Sequence, residues 1–201
     1  MDLRRFTGIC PGSAAIVLAT MVLGSPAIAA APEGPTRHHI VLDLGYTKLL
    51  SHDLKDDVLG IDFTNAANAT LEYRLSLTPM VDLAIDSRAT ASTDNTGGVD
   101  VTLTNSYFGP GVRMNGSGSI RPYGQANFYL VSEHVELKQG GVTISGDESG
   151  VGFGLAGGID IPLSGLLSLP LELHYLNAKP QDDVSGVGFS VGLEFNFGAM
   201  Q

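Results

Sequence analysis

The chain has few of the residues that most kinds of functional site require. Its single cysteine, Cys10, lies near the N-terminus, which excludes disulfides and cysteine metal sites from the rest of the chain. Lysine and arginine number only 11, against 21 aspartate and glutamate residues. Nucleic-acid binding needs basic patches that neutralise phosphates, so we predict no nucleic-acid partner. No nucleophile motif or phosphate loop is recognisable in the sequence.

The sequence also lacks the roughly 20 consecutive apolar residues that a membrane-spanning helix needs. An apolar run from Ala14 to Leu23 is too short, but it follows Arg4 and Arg5, and small residues come after it. This order is typical of a cleaved signal peptide, and we predict cleavage after Ala29 or Ala30. An uncleaved N-terminal membrane anchor is the alternative.

This interpretation divides the chain into three parts. Residues 1–30 form the signal peptide, 31–37 a short periplasmic segment, and 38–201 a single domain. Loss of Asp2, Arg4 and Arg5 leaves nine basic and twenty acidic residues, so the exported protein is acidic.

Beyond the signal peptide, helical periodicity is scarce and apolar residues fall at every second position. This alternation is typical of β-strands with one apolar face. The last segment is the clearest, with apolar residues at Val187, Phe189, Val191, Leu193, Phe195 and Phe197. Seven earlier segments follow the same rule: Ile40–Tyr46, Leu71–Leu77, Val81–Ile85, Val99–Tyr107 (with Val101 and Leu103), Ala126–Leu130, Val151–Ile161 and Leu167–Tyr175. The apolar positions of these segments carry no charge.

Short and long connections alternate between the eight segments. The short turns are Thr78-Pro79, Asn115–Ile120 and Ser164-Gly165, and the predicted long loops are Lys48–Ala69, Ala89–Gly98, Val135–Ser149 and Asn177–Gly186. With an even number of strands, all long loops lie at one end. Outer-membrane barrels have this layout, with short periplasmic turns and longer external loops.

Alternation alone leaves open whether the apolar face meets lipid or a dry core, as in a soluble lipocalin-type barrel. The polar face is rich in small residues, which suit the crowded interior of an eight-stranded barrel, and it contains no lysine. Aromatic residues cluster near strand ends, as in interfacial girdles. We therefore predict an all-β, eight-stranded, antiparallel, up-and-down transmembrane β-barrel in a Gram-negative outer membrane. Its predicted lipid-facing aromatics are Tyr46, Tyr73, Tyr107, Phe128, Phe153, Tyr175, Phe189, Phe195 and Phe197.

The polar face also carries ionisable residues, which would lie inside the barrel. They are Asp43, Glu72, Arg74, Asp82, Asp86, Arg88, Asp160, Glu172, His174 and Glu194. Buried charges must be paired, so we expect Arg74 to be surrounded by carboxylates, with Asp43, Glu72 and Glu194 as partners. The candidate site is a charge network of Asp43, Glu72, Arg74, Glu172, His174 and Glu194, which either plugs the barrel or gates a narrow path.

Acidic loop residues could in principle hold Ca²⁺, but their spacing does not match an EF-hand. His38 and His39 have no further ligands nearby in sequence. We therefore predict no metal site, no cofactor and no catalytic residue.

From His39 to Phe197 the chain resembles the small outer-membrane β-barrel superfamily that includes the OmpA transmembrane domain, OmpX and OmpW. The resemblance is carried by Tyr107–Arg113, by Arg121–Ala126, and by Gly188–Phe197, which is similar to the signal read by the barrel-assembly machinery. It differs in that Gly198–Gln201 follow the final aromatic residue. The resemblance implies a monomer whose partners are outer-membrane lipid, lipopolysaccharide and, during biogenesis, that machinery.

A narrower resemblance links His174–Ala178 to the lipid A 3-O-deacylases. Their nucleophilic serine would occupy the position of Leu176, so the nucleophile is missing here. We predict a non-enzymatic integral outer-membrane protein with a role in envelope integrity or surface interaction. A narrow channel for small or hydrophobic solutes, as in OmpW, is the alternative, and a lipid A-modifying enzyme is the third.

Overall fold

The computed structural model describes residues 37–50, 55–56, 61–62, 65–96, 98–179 and 184–198. The predicted signal peptide and residues 31–36 lie outside the described residues, as do residues 199–201. Within the described ranges, no helix is long and apolar enough to cross a membrane.

The described chain forms strands that we number in sequence order. They are β1 (His38–Leu49), β2 (Lys55–Asp56), β3 (Ile61–Asp62), β4 (Asn65–Thr78), β5 (Val81–Thr96), β6 (Val99–Asn115), β7 (Arg121–Gln139), β8 (Val142–Pro162), β9 (Leu167–Lys179) and β10 (Val184–Phe197). Eight of them close into one antiparallel barrel in the order β1-β10-β9-β8-β7-β6-β5-β4, while β2 and β3 pair only with each other. The predicted fold is confirmed.

Strands β1 and β10 close the barrel. They pair from His38 opposite Phe197 to Leu49 opposite Gly186. Closure is a physical requirement, because lipid offers no hydrogen-bond partner to the backbone of an open sheet edge.

Alternate side chains of each strand point outward and inward, as the sequence predicted. On β1, Leu44 is 69% exposed, whereas its neighbour Asp43 is 6% exposed. On β4, Tyr73 is exposed and Arg74 is only 1% exposed. A soluble barrel would have the opposite arrangement, so the apolar face is the outer one.

On β6, β7 and β8 the outer face changes from apolar to polar at one level. On β6 the change falls between Phe108 and Ser106; Ser106 pairs with Ser132 on β7, and Ser132 pairs with Ser149 on β8. Since lipid-facing residues must be apolar, this serine row marks the loop-side edge of the membrane-embedded band on these three strands.

Two of the predicted long loops, Ala89–Gly98 and Val135–Ser149, are wrong, because these residues mostly belong to paired strands. Strand β5 continues to Thr96, and β7 and β8 pair as far as Gln139 opposite Val142. In water-exposed sheet, polar side chains are as acceptable as in a loop, and strand pairing satisfies the backbone. A tight turn at Gly140 and Gly141, both with positive φ, is all that separates β7 from β8. Strands β5 to β8 therefore form a sheet that projects beyond the embedded band.

The predicted outer face of β6 is also wrong in its loop-side half. Val101, Leu103 and Tyr107 are each 2% exposed and lie inside, whereas Phe108 and Val112 point outward. Beyond the serine row the outer surface faces water, so the apolar residues Val101 and Leu103 form the inner face there. Alternation continues along the strand, but its polarity inverts where the strand leaves the membrane. Tyr107 alternates with the outward Phe108 and is not a lipid-facing aromatic.

Candidate functional site

The charged interior is the main candidate site. All ten ionisable residues predicted to lie inside are buried. Two further basic residues in the interior, Arg113 and His39, were missed by the sequence analysis. Arg113 was missed because β6 was read with the wrong face inward.

Arg74 lies at the centre of one ion-pair group. Its Nε atom is 3.0 Å from Glu72 Oε1, and its Nη2 atom is 2.7 Å from Glu194 Oε2. Glu194 Oε1 also lies 2.9 Å from His39 Nδ1, and Gln125 donates a hydrogen bond to Glu72. Arg74 thus joins β4 to β10 across β1, with Glu72 and Glu194 where they were expected. Asp43, the third expected partner, makes no ion pair with Arg74 in the described part of the chain.

A second group surrounds Arg88. Its Nη2 atom lies 2.7 Å from Glu172 Oε1 and 3.8 Å from Asp86 Oδ2. The Tyr129 hydroxyl donates a hydrogen bond of 2.7 Å to the same Asp86 oxygen. His174 Nδ1 lies 3.4 Å from Glu172, and this contact joins the histidine to the group.

Arg113 forms a third group nearer the short-turn end. It donates to Asp160 and, from Nε, to Asn115 Oδ1 at 2.8 Å. Its guanidinium carbon lies 3.4 Å from the centroid of the Tyr123 ring, a cation–π contact. These groups connect most strands of the barrel through side chains as well as through the backbone.

Glycines on β8 leave the space that two interior tyrosines of β7 occupy. A Cβ atom at Gly158 would lie 2.1 Å from the Leu171 carbonyl oxygen and 2.8 Å from the Tyr123 ring. A Cβ atom at Gly154 would lie 2.7 Å from the Tyr129 ring. Large residues on one strand therefore match small residues on the next, and the lumen is filled by side chains.

Two clusters of buried apolar residues lie in the loop-side half of the lumen. One cluster joins Leu49, Ala66, Val101 and Leu103 from β1, β4 and β6. A second joins Tyr107, Tyr129, Val131, Leu176 and Ala178 from β6, β7 and β9. Each of these side chains is at most 5% exposed. We call the two clusters together the apolar seal; the sequence analysis did not predict it.

Eight of the nine predicted lipid-facing aromatics lie on the outer face. Phe153 and Tyr175 contact each other at a centroid distance of 6.0 Å, and Tyr46 and Phe189 at 6.5 Å. Tyr107 is the exception described above.

The projecting sheet has a different character. Val142 and Ile144, on β8, are 62% and 64% exposed. Nearby, His134 Nδ1 lies 2.6 Å from Asp147, and Lys138 contacts Glu136 on β7. The hydrogen bond from Lys138 to Glu136 raises the pKa of the lysine above its ordinary value.

The described residues form neither a cluster of metal ligands nor a site like that of the deacylases. Among the described residues, no three histidine, cysteine or acidic side chains come together in a way that could hold a metal ion. His174 is 3% exposed and faces the lumen, with its Nε2 atom 3.1 Å from Thr47 Oγ1. Leu176, at the position of the deacylase serine, belongs to the apolar seal.

Comparison with known proteins agrees with this architecture. A family model described as an outer membrane protein beta-barrel domain matches residues 15–197. The chain belongs to this family. It is therefore an integral outer-membrane β-barrel protein.

Solved structures show the same fold at low sequence identity. Neisserial surface protein A (NspA) aligns with a TM-score of 0.60 and 15% identity over 80% of this chain and 97% of that one. A second similar structure is that of Ail, the attachment invasion locus protein of Yersinia pestis, in complex with the heparin analogue sucrose octasulfate. Its TM-score is 0.58 at 13% identity, over 82% of this chain and 100% of Ail. A comparison with curated proteins gave no match.

Proposed function

We propose that this outer-membrane protein is a non-conducting, non-enzymatic barrel that serves envelope integrity or surface interaction through its loop-side end. The observation that carries the proposal is the double closure of the lumen. Arginine–carboxylate groups fill its middle, and the apolar seal closes the end above them. A solute would have to separate buried ion pairs and then cross a dry constriction.

The projecting sheet is the proposed interaction surface. It exposes Val142 and Ile144 above the membrane, and its charged side chains are mostly acidic. The described residues of the ranges 48–65, 92–106, 132–149 and 177–185, which lie at this end, include eight acidic residues and four lysines. Charge complementarity therefore favours a basic partner. The sulfated compound bound in one Ail structure has the opposite charge to such a partner.

Within the membrane, the proposed partners are outer-membrane lipid and lipopolysaccharide, with the barrel as a monomer. During biogenesis, the assembly machinery would read β10, whose outward side chains end at the exposed Phe197.

Conductance in planar bilayers tests the closed-lumen part of the proposal. We expect no stepwise current from the wild type or from Leu44→Ala, a lipid-facing control. We expect current to remain absent in Arg74→Ala, because the apolar seal is intact in that variant. Regular steps in the wild type would establish the channel alternative. Steps that appear only in Arg74→Ala would show that the charge network is a gate.

Two further measurements test the remaining parts. Polylysine should bind proteoliposomes that contain the barrel more strongly than heparin does, and equal binding of both would contradict a basic partner.

Mass spectrometry of lipid A from cells with and without the protein should show the same acyl chains. A lost acyl chain would instead indicate an enzyme.

A further inference from the structure

Strand β8 has a neighbouring strand on both sides only in its short-turn half. On the β9 side, pairing runs from Pro162 to Val151, which lies opposite Lys179. On the β7 side, pairing continues as far as Val142, opposite Gln139. Among the described residues, those from 142 to 150 therefore have a strand on one side only. We call this stretch, which is about 30 Å long at roughly 3.4 Å per residue, the free edge of β8.

The turn before the free edge determines which of its backbone groups are unpaired. Gly140 and Gly141 form a two-residue hairpin turn with φ of 56° and 84°, as in a type I′ turn. The residues that flank such a turn are a hydrogen-bonded pair. Hydrogen-bonded and non-hydrogen-bonded pairs alternate along an antiparallel ladder, and this ladder has no register shift. The N–H and C=O groups that point away from β7 therefore belong to alternate, exposed residues: Thr143, Ser145, Asp147 and Ser149.

The free edge lacks most of the features that prevent strand addition. Edges of natural sheets are usually very short, bulged, or protected by proline or lysine. Residues 142–150 contain no proline and no lysine, and their pairing with β7 is regular. Their unpaired backbone groups are therefore available to an incoming extended segment. Such a segment binds through main-chain hydrogen bonds, and the neighbouring side chains determine which sequence fits.

The side chains of the free edge indicate the chemistry of that segment. Val142 and Ile144 are 62% and 64% exposed, so an apolar residue placed next to them would bury apolar surface. Glu148 lies directly opposite Glu133 on β7, and like charges at opposite positions destabilise a strand pair. A basic residue beside Glu148 would offset this repulsion. A complementary strand therefore combines apolar and basic residues.

A second copy of this chain does not complement the free edge. It would bring the same acidic residues, Asp147 and Glu148, so that like charges would meet. Two barrels related by a two-fold axis along the membrane normal would also present parallel edges with the same residues at the same height. In a parallel ladder, by contrast, the facing backbone groups of the two strands alternate in height.

We propose that the free edge of β8 binds an extended, basic peptide segment of another protein as an added β-strand. The proposal rests on the proposed function, because it specifies how the projecting sheet binds a basic partner. The added strand forms hydrogen bonds with the outward-facing residues from Thr143 to Ser149. Its basic side chains lie beside Asp147 or Glu148.

Peptide binding to the barrel in phosphatidylcholine nanodiscs tests the proposal, with empty nanodiscs as background. The probe is a capped, fluorescein-labelled, eight-residue peptide of alternating valine and lysine, measured by fluorescence anisotropy. We expect equal binding to the wild type and to Ser145→Ala, which keeps the backbone N–H group. Ser145→Pro should weaken binding at least about tenfold, because proline removes that N–H group and its ring obstructs pairing. Proline is tolerated where a strand N–H group faces solvent, so gel migration of the unboiled variant should show a folded barrel.

A second comparison keeps the barrel unchanged and so does not depend on the folding of a variant. The same peptide with every backbone nitrogen methylated keeps its side chains and its charge but donates no hydrogen bond. It should bind the wild type at least about tenfold more weakly than the unmethylated peptide does.

The outcomes separate this proposal from the proposed function. Equal binding of the two peptides, or equal binding of the unmethylated peptide to the wild type and a folded Ser145→Pro, would overturn strand addition but leave a basic partner in place. Failure of the unmethylated peptide to bind the wild type would contradict both. A wild-type dimer that Ser145→Pro separates, measured by light scattering, would assign the free edge to a second copy and also overturn the proposal.

Discussion

Removal of the Arg74 side chain should destabilise the barrel by several kcal/mol. Arg74 is 1% exposed and contacts Glu72 at 3.0 Å and Glu194 at 2.7 Å. In Arg74→Ala both carboxylates stay buried without their main counter-charge. Breaking a buried ion pair from one side costs about 3–5 kcal/mol. We expect a loss of that size in the free energy of unfolding.

The same reasoning predicts rescue when the stranded charges are removed. The triple variant Glu72→Gln, Arg74→Met, Glu194→Gln replaces the group with neutral side chains of similar size. Such replacements are often neutral or stabilising, so most of the lost stability should return. Lys138→Ala, which breaks an exposed contact with Glu136, should leave stability unchanged.

Urea titration with gel migration of unboiled samples suits this series, because folded and unfolded small barrels migrate differently. The chain has no tryptophan, so a fluorescence assay would have little signal. A loss below about 1 kcal/mol in Arg74→Ala would refute the reasoning, because it would mean that water reaches the carboxylates. A triple variant as unstable as Arg74→Ala would refute it as well.

Two further substitutions test the outer face and the interior packing, each with a matched control and both read by the same titration. Leu44→Arg, on the lipid-facing surface, should cost about 2–4 kcal/mol, whereas Leu166→Arg, equally exposed but in a short turn, should cost at most about 1 kcal/mol. Equal costs would contradict the assigned membrane band. Gly158→Ala should cost about 1–3 kcal/mol, because the new methyl group meets backbone and the Tyr123 ring. Gly124→Ala, which has nothing within 4 Å, should change stability by about 0.5 kcal/mol at most; a tolerated Gly158→Ala would mean that the lumen is loosely filled.

The barrel and its faces could be predicted from sequence because the lipid-facing surface tolerates almost no charge. Strand β10 shows this clearly, since every outward position from Val187 to Phe197 is apolar. The interior charges follow from the same alternation, which placed Arg74 near Glu72 and Glu194. Register between strands was not visible in the sequence, so the separation of Asp43 from Arg74 could not be foreseen.

The prediction failed where strands leave the membrane. On β6 the apolar residues Val101 and Leu103 lie inside, although the apolar Val112 on the same strand lies outside. One alternation rule cannot describe both halves, because the medium outside the barrel changes from lipid to water. The same error hid Arg113 from the candidate site. A change from apolar to polar outward residues, as between Phe108 and Ser106, is the signal that could have located this boundary.

Site-directed spin labelling along β1 tests the central claim most directly. Single cysteines at positions 41, 42, 43 and 44, in a Cys10→Ser background and in lipid bilayers, would carry the label one at a time. We predict that labels at Leu42 and Leu44 collide freely with oxygen dissolved in the lipid, and that labels at the buried Val41 and Asp43 are shielded from it. Shielding at positions 42 and 44, with free collision at 41 and 43, would contradict a barrel whose leucines face lipid and whose carboxylates fill the lumen.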